Sequence, residues 1–159
     1  MIATDSYVSV MIDGLKKKTI ILNQIIECSE KEKKLLSAEQ LEMENFDINM
    51  KEKSNLIDEL TLLDEGFTTV YNRVKVELET DKIHYEDQIK QMKTMISKIT
   101  ELSVKIQSEE SRNKELAQRQ FGKMKKEVKV VKRSERMAAN YYKSMSMVDT
   151  EPQFLDKKK

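Results

Sequence analysis

Glycine and proline are almost absent from this chain, and their scarcity restricts its fold more than any other feature. The 159 residues include 3 glycines and 1 proline, whereas average usage is roughly 7% and 5%. Tight turns, β-hairpins and phosphate-binding loops depend on these residue types. The scarcity therefore disfavours sandwiches, barrels, Rossmann folds and P-loops. Because 36% of the residues are charged and 38% are hydrophobic, the composition favours long amphipathic helices.

The spacing of apolar residues indicates that these helices pack side by side. Apolar residues alternate at intervals of four and three through residues 56–74 and again through residues 85–106. This heptad-like spacing is typical of helices packed nearly parallel or antiparallel in a coiled coil. The N-terminal region has a comparable stripe, which comprises Val8, Ile12, Leu15, Leu22 and Ile26.

Two turns are predicted from helix-capping residues. Ser37 with Gln40 matches a capping box, and Thr80 with Asp81 offers two favourable N-cap residues for a third helix. Short connections of this kind make neighbouring helices antiparallel. Later candidate caps for the second helix are Asn45, Asp47 and Asn49.

The predicted fold is therefore all-α: an elongated antiparallel three-helix bundle or coiled coil with a long C-terminal helix. Residues 1–145 are expected to form the bundle, with helices at about 6–36, 38–79 and 81–143. Residues 146–159, which include the only proline, Pro152, are expected to form a flexible tail.

The third predicted helix is too long for the first helix to cover. A helix over residues 81–143 would extend about 90 Å at 1.5 Å per residue. Residues 107–115 contain no apolar side chain, which indicates that the helix is either solvated all round or bent there. An apolar stripe then resumes, and we expect it to need a partner helix, a second copy of the chain or the start of the second helix. This stripe consists of Leu116, Phe121, Met124, Val128 and Val131.

Charge is segregated along the chain. Residues 27–65 contain 12 acids and 5 bases, a net charge of −7, and residues 112–136 contain 10 bases and 3 acids, a net charge of +7. These segments fit complementary faces of an antiparallel bundle, or a basic surface for an acidic partner. Glu127 and Glu135 interrupt the basic segment, so it is not typical of a nucleic-acid interface, and we expect no nucleic-acid partner.

The residue types that enzymes and metal centres use are too few here for either function. His84 is the only histidine and Cys28 the only cysteine, so we expect no catalysis, no metal and no cofactor. One cysteine forms no internal disulfide. The chain has no apolar run of about 18 residues for membrane insertion and no recognisable secretory signal, which together predict a cytoplasmic protein.

Three polar segments are distinctive in their order. Residues 27–36 are rich in acids and lysines, the run Lys53-Ser-Asn-Leu-Ile-Asp-Glu-Leu lies in the second predicted helix, and residues 109–116 contain Asn113. A long basic helix and a tyrosine follow. In this order the chain resembles the FlgN family of flagellar type III export chaperones, over roughly residues 8–143.

The resemblance implies a chaperone that binds the C-terminal amphipathic helices of hook–filament junction proteins. Such a chaperone prevents premature assembly of these proteins and delivers them to the flagellar export gate. The resemblance also implies contact with the export gate through Tyr141 or Tyr142. The residues implied in binding the substrate protein are Leu116, Phe121, Met124, Val128 and Val131.

Two alternatives to this function stay open at the level of sequence. One is a structural coiled-coil protein that self-associates as a homodimer through the same apolar stripe. The other is the related group of chaperones for the filament cap protein, which shares the helical build and the use of tyrosine.

Overall fold

The computed structural model describes residues 2–125, 136–140 and 143, and in this part of the chain it contains helices and their connections. Three long helices follow one another: α1 (Ile2–Leu36), α2 (Met43–Thr80) and α3 (Glu86–Lys123). They pack into one bundle in which α1 contacts both α2 and α3. The predicted all-α three-helix architecture is therefore confirmed.

A single heptad seam is buried along the whole of α1. Its members are spaced alternately three and four residues apart, and most are apolar, each contributing roughly 1.5–3 kcal/mol when fully buried. Ile12 and Ile26, predicted for the stripe, are half-buried at its side. The buried seam comprises Val8, Met11, Leu15, Lys18, Leu22, Ile25, Ser29, Glu32 and Leu36.

Matching seams run along α2 and α3. In α2 the seam includes Ile57 and Tyr71, whereas the predicted Leu56 and Val70, one position earlier, are half-buried. In α3 the predicted apolar residues from Met92 onward are confirmed as core. The α2 seam comprises Phe46, Met50, Lys53, Ile57, Leu60, Phe67, Tyr71, Val74 and Leu78. The α3 seam comprises Met92, Ile96, Ile99, Leu102, Ile106, Glu110, Asn113, Ala117 and Gln120.

Contacts between side chains show that α1 and α2 are antiparallel. The Lys18 ammonium on α1 lies 2.8 Å from Asp64 Oδ1 on α2. Nearer the start of α1, Tyr7 Oη accepts a hydrogen bond of 3.0 Å from Arg73 Nη1, which lies further along α2.

The first and third helices run parallel. Tyr85, just before α3, donates a hydrogen bond of 2.8 Å from its hydroxyl to Asp5 Oδ1 near the start of α1. At the other end, Gln120 Nε2 donates to the backbone carbonyl of Leu36 at 2.9 Å. We call this second end, where α1 and α3 finish and α2 begins, the distal end of the bundle.

The second helix begins later than predicted. Its N-cap is Glu42, whose side chain makes no capping hydrogen bond. The Ser37 amide instead donates to the Lys33 carbonyl at 2.9 Å, which continues the backbone pattern of α1. The predicted capping box at Ser37 and Gln40 is therefore wrong. The alternative caps lie inside α2: Asn45, Asp47 and Asn49.

The turn between α2 and α3 lies where it was predicted, but Thr80 and Asp81 do not start α3. Thr80 is the last residue of α2 and Asp81 is its C-cap, whereas α3 begins at Glu86 after Tyr85. Tyr85 is only 1% exposed. Burial of this ring against α1 outweighs the capping preference of Asp81, which is a local and weaker effect.

The third helix is shorter than predicted. It ends at Lys123, with Met124 as its C-cap, and helical geometry is described again at residues 136–140. One continuous helix over 81–143 is therefore wrong. Since α1 has 35 residues and α3 has 38, the expected mismatch in length between these two helices is wrong as well. The predicted tail, 146–159, lies outside the described residues.

Candidate functional site

A layer of polar side chains crosses the interior of the bundle in its distal half. The side chains come from all three helices, and all but Asn49 occupy seam positions that are normally apolar in a coiled coil. Lys53, Glu32 and Asn113 are each 0% exposed. We call this group the polar layer, and it consists of Ser29 and Glu32 of α1, Asn49 and Lys53 of α2, and Glu110 and Asn113 of α3.

Lys53 lies at the centre of the polar layer. Its ammonium forms ion pairs with Glu32 Oε1 and, at 2.7 Å, with Glu110 Oε1. Ser29 Oγ donates a hydrogen bond of 2.6 Å to the same Glu110 oxygen. A buried charge is tolerated only when it is paired and hydrogen-bonded. The lysine therefore permits two carboxylates to lie in the core.

Two buried amides connect the other helices to the backbone of α1. Asn49 Nδ2 on α2 donates to the Cys28 carbonyl at 2.9 Å, and Asn113 Nδ2 on α3 donates to the Ser29 carbonyl at 2.9 Å. Both acceptors lie on the same turn of α1. The polar layer thus joins three helices at one level of the bundle.

The expectation that residues 107–115 are solvated all round is overturned by this layer. The segment lies inside α3, and it is not solvated all round, because Glu109, Glu110 and Asn113 are buried. The α3 seam continues after Ile106 through polar side chains, since α1 and α2 supply their partners.

A pair of carboxyl groups lies beside the polar layer, formed by Glu30 of α1 and Glu109 of α3. Burial, together with the hydrogen bond to Glu30, raises the pKa of Glu109 to about 7. The same hydrogen bond lowers the pKa of Glu30, and Arg112, whose Nη2 lies 4.0 Å from Glu30 Oε1, acts in the same direction. Near neutral pH, Glu109 is therefore the carboxyl of this pair that holds a proton.

The distal end of the bundle closes over two aromatic rings. Phe46, near the start of α2, meets Phe121, near the end of α3, edge to face with ring centroids 6.0 Å apart. The predicted adjacency of the start of helix 2 and the end of helix 3 is therefore confirmed. An ion pair between α2 and α3 is opposite in sign to the net charges of residues 27–65 and 112–136. In this pair α2 supplies the cation, Lys53, and α3 supplies the anion, Glu110.

The bundle itself covers the predicted apolar stripe, as far as the stripe is described. Phe121 is 4% exposed, and Leu116 and Met124 are half-buried against the core. Of the three expected ways to cover this stripe, the start of the second helix is the one found at Phe121, because Phe46 of α2 packs against its ring. The remaining predicted site residues lie outside the described part: Val128, Val131, Tyr141 and Tyr142.

Residues 136–140 lie against this same end and leave two open grooves beside them. Ala138 is 5% exposed and joins the core, and Met137 packs against it. One groove, of about 430 Å³, is lined by residues that include Ala117, Phe121, Gly122 and Ala139. The other, of about 420 Å³, lies toward the start of α2, and its lining includes Ile48, Met50, Lys51 and Met137.

His84 and Cys28 lie in different surroundings, one exposed and one buried. His84 is exposed in the connection before α3, with Nε2 3.7 Å from Asp5 Oδ1. Cys28 is buried, and burial raises the pKa of its thiol, which is the opposite of activation. Within residues 2–125, 136–140 and 143, no three acidic, cysteine or histidine side chains are grouped to hold a metal. None of the described helices is both long and apolar enough to cross a bilayer.

The polar layer was missed by the sequence analysis, although the sequence contains two signals for it. Continuing the α3 seam after Ile106 in steps of four and three leads to Glu110 and Asn113. Continuing the α1 seam leads to Ser29 and Glu32. These residues also lie in the polar segments that carry the family resemblance, and the fold brings those segments together.

Comparison with known proteins gives one match. A sequence model of a protein family described as FlgN protein matches residues 1–147. No curated protein and no solved structure matches the chain. The matched region includes the three helices, the polar layer and both distal grooves.

Proposed function

The chain belongs to the FlgN family of flagellar export chaperones, and on this basis we propose that it binds the C-terminal amphipathic helices of hook–filament junction proteins. Binding takes place in the cytoplasm and prevents premature assembly of the client. The chaperone then delivers the client to the flagellar export gate.

The observation that carries this proposal is the pair of open grooves at the distal end. An amphipathic helix binds a chaperone by laying its apolar side chains into such grooves. Met50 and Met137 line the groove beside α2, and flexible methionine side chains adapt to varied apolar ligands. The two grooves therefore suit clients whose apolar residues differ in detail.

The proposed client surface continues from these grooves along the chain. Phe121 contributes to the wall of the larger groove, while Leu116 and Met124 are half-buried beside the core. A client segment that is disordered when free would fold on this surface, and the ordering cost lowers its net affinity and permits release. The proposed contact residues are Leu116, Phe121, Met124, Val128 and Val131.

Contact with the export gate is proposed for Tyr141 or Tyr142, which follow the helical residues 136–140. A tyrosine ring combines a large apolar face with a polar hydroxyl, which suits transient protein contacts. On this assignment, client binding and gate contact use neighbouring parts of the chain.

The client surface is tested with Val128→Asp. We expect this variant to bind a junction-protein C-terminal peptide at least ~100-fold more weakly, because an unpaired carboxylate would be placed against the apolar face of the client. Calorimetric titration with the peptide measures the affinity, and far-UV circular dichroism checks that the helix content is unchanged.

Val104→Asp is the matched control for this experiment. Val104 lies on α3 away from the grooves and is 59% exposed, so the same substitution should leave peptide affinity unchanged. Wild-type affinity in Val128→Asp would contradict the proposed surface. If no flagellar subunit binds the wild-type chain, and Val128→Asp instead dissociates a stable homodimer, the self-association alternative is correct.

A further inference from the structure

We propose that the charged centre of the polar layer, Lys53 with Glu32 and Glu110, is a register lock, which holds the three helices in one axial alignment and thereby forms the distal grooves. The lock follows from contacts within the bundle alone. Only its consequence for client affinity rests on the proposed function.

The apolar parts of the seams do not define this alignment by themselves. Apolar residues recur along each helix with heptad spacing, so a helix displaced by one heptad still buries an apolar seam. The displacement would be ~10 Å along the bundle. A polar residue at a seam position is the best-attested means of excluding such alternatives.

The two carboxylates that pair with Lys53 fit only one axial position of α3. Displacing α3 by one heptad would bring Ser103 or Ala117 to the level that Glu110 occupies. Lys53 would then lose one of its two carboxylates, and Glu110 would be buried without its cation. Both changes are strongly unfavourable in the interior of a protein.

The layer differs in kind from the other ion pair between α1 and α2. Lys18 pairs with Asp64 across α1 and α2, and the Asp64 side chain is 24% exposed. Lys53 contacts carboxylates on both other helices, and those side chains are 0% and 8% exposed. The alignment of α2 with α3 therefore depends on the polar layer.

The distal grooves depend on that alignment because they lie on the same rigid helices. Phe46 is one heptad from Lys53 on α2, and its ring packs against Phe121 of α3. Displacing α3 by ~10 Å would separate these rings. The groove lined by Phe121 and Ala138 would then be lost, although all three helices remain helical.

The test replaces the charged layer with apolar residues of similar size, in the triple variant Lys53→Met, Glu32→Leu, Glu110→Leu. Nitroxide labels at exposed Lys16 and Glu115, in a Cys28→Ala background, report the axial position of α3 relative to α1 by pulsed electron paramagnetic resonance. We expect one distance in the wild type. In the triple variant we expect a second population displaced by up to ~10 Å, with undiminished helix content and thermal stability.

The matched control is Lys18→Met, Asp64→Leu, which removes the other ion pair and should keep the single wild-type distance. A single wild-type distance in the triple variant would overturn the proposal. If the triple variant does not fold, the charge swap Lys53→Glu, Glu110→Lys in a Glu32→Gln background decides, since it should restore the wild-type distance that Lys53→Glu in the same background loses. Failure of the swap to restore that distance also counts against the lock.

The distances between the nitroxide labels are measured without a client. The register lock is therefore tested independently of the proposed function. A register-shifted triple variant should bind the junction peptide at least ~10-fold more weakly than the wild type. If the wild type binds no such peptide while the distances behave as expected, the proposed function fails and the register lock stands.

Discussion

Lys53 is the residue on which the interior of the distal half depends. It neutralises Glu32 and Glu110, whose side chains are 0% and 8% exposed. Removing one partner from a buried ion pair is far more damaging than replacing the whole group, because the remaining charge stays buried and unpaired. Single substitutions in this layer should therefore lower the stability of the fold, whereas the triple variant should keep it.

Lys53→Met should lower the free energy of unfolding by about 3–5 kcal/mol at neutral pH. Two carboxylates would remain in the core without a cation, and protonation at lower pH should recover part of the loss. Urea unfolding at pH 7 and pH 5 measures both effects. Lys18→Met is the control, and a loss no larger than that of the control would contradict this account of Lys53.

The carboxyl pair at Glu30 and Glu109 predicts a pH dependence of stability. The pKa of Glu109 is raised to about 7 in the folded state, from an ordinary value of 4.5. Between these values the folded chain binds more protons than the unfolded chain, so stability falls as pH rises through this window. The lowered pKa of Glu30 acts at lower pH, where acidification removes stability.

Glu109→Gln should flatten the decline in unfolding free energy between pH 4.5 and pH 7, since the amide keeps a hydrogen-bond donor but does not titrate. Thermal melts of wild type and variant across this range measure the difference. Glu115→Gln, at an exposed position on the same helix, is the control. Equal pH slopes for wild type and Glu109→Gln would show that Glu109 does not titrate in this window.

At the scale of the helix, the three glycines lie in open positions. A Cβ added at Gly14, Gly66 or Gly122 would meet no atom within 4 Å. Gly66 is an interior residue of α2, and Gly122 lies in the last turn of α3. A glycine inside a helix costs about 0.5–1 kcal/mol relative to alanine. Substitution by a good helix former is therefore expected to stabilise the bundle at these positions.

Gly66→Gln and Gly122→Gln form a matched pair that separates stability from binding. Both should raise the melting temperature, because both remove a helical glycine without a clash. Only Gly122→Gln should also weaken binding of the junction peptide, since Gly122 lines the larger distal groove. Equal peptide affinities for the two variants would indicate that this groove is not the client site.

The sequence predicted the seams of the helices better than their ends. Heptad spacing places Ile96, Ile99 and Ile106 in the core because it reflects the face that must be buried. Capping preferences placed the start of α3 at Asp81, but burial of Tyr85 decides that boundary. The end of α3 at Lys123 has no proline to mark it, and the glycine before it lies within the helix.

The polar layer was missed for a different physical reason. Counting only apolar residues makes Glu110 and Asn113 appear to interrupt the seam. Whether a polar residue is solvated or buried depends on its partners on other helices, and Lys53 is 57 positions away from Glu110 in the chain. Such partners become recognisable only when the seams of all three helices are aligned.

For the whole molecule, the sequence identified the family but not the shape of the candidate site. The predicted stripe at Leu116, Phe121 and Met124 does border the larger distal groove or the core beside it. The start of the second helix was one expected cover for this stripe, but the choice of Phe46 as the contact residue depends on how α2 returns to the end of α3.

The parallel arrangement of α1 and α3 has a consequence for how the chain folds. The hydrogen-bonded partners of these helices are separated by 80 positions at one end and 84 at the other, which is a long loop to close for a helical protein. During synthesis, α1 and α2 are complete before the residues that close over them exist. A nascent hairpin of α1 and α2 therefore exposes the apolar seam residues that α3 later covers, until α3 emerges from the ribosome. For that interval the growing chaperone has the same exposed amphipathic surface that characterises its proposed clients.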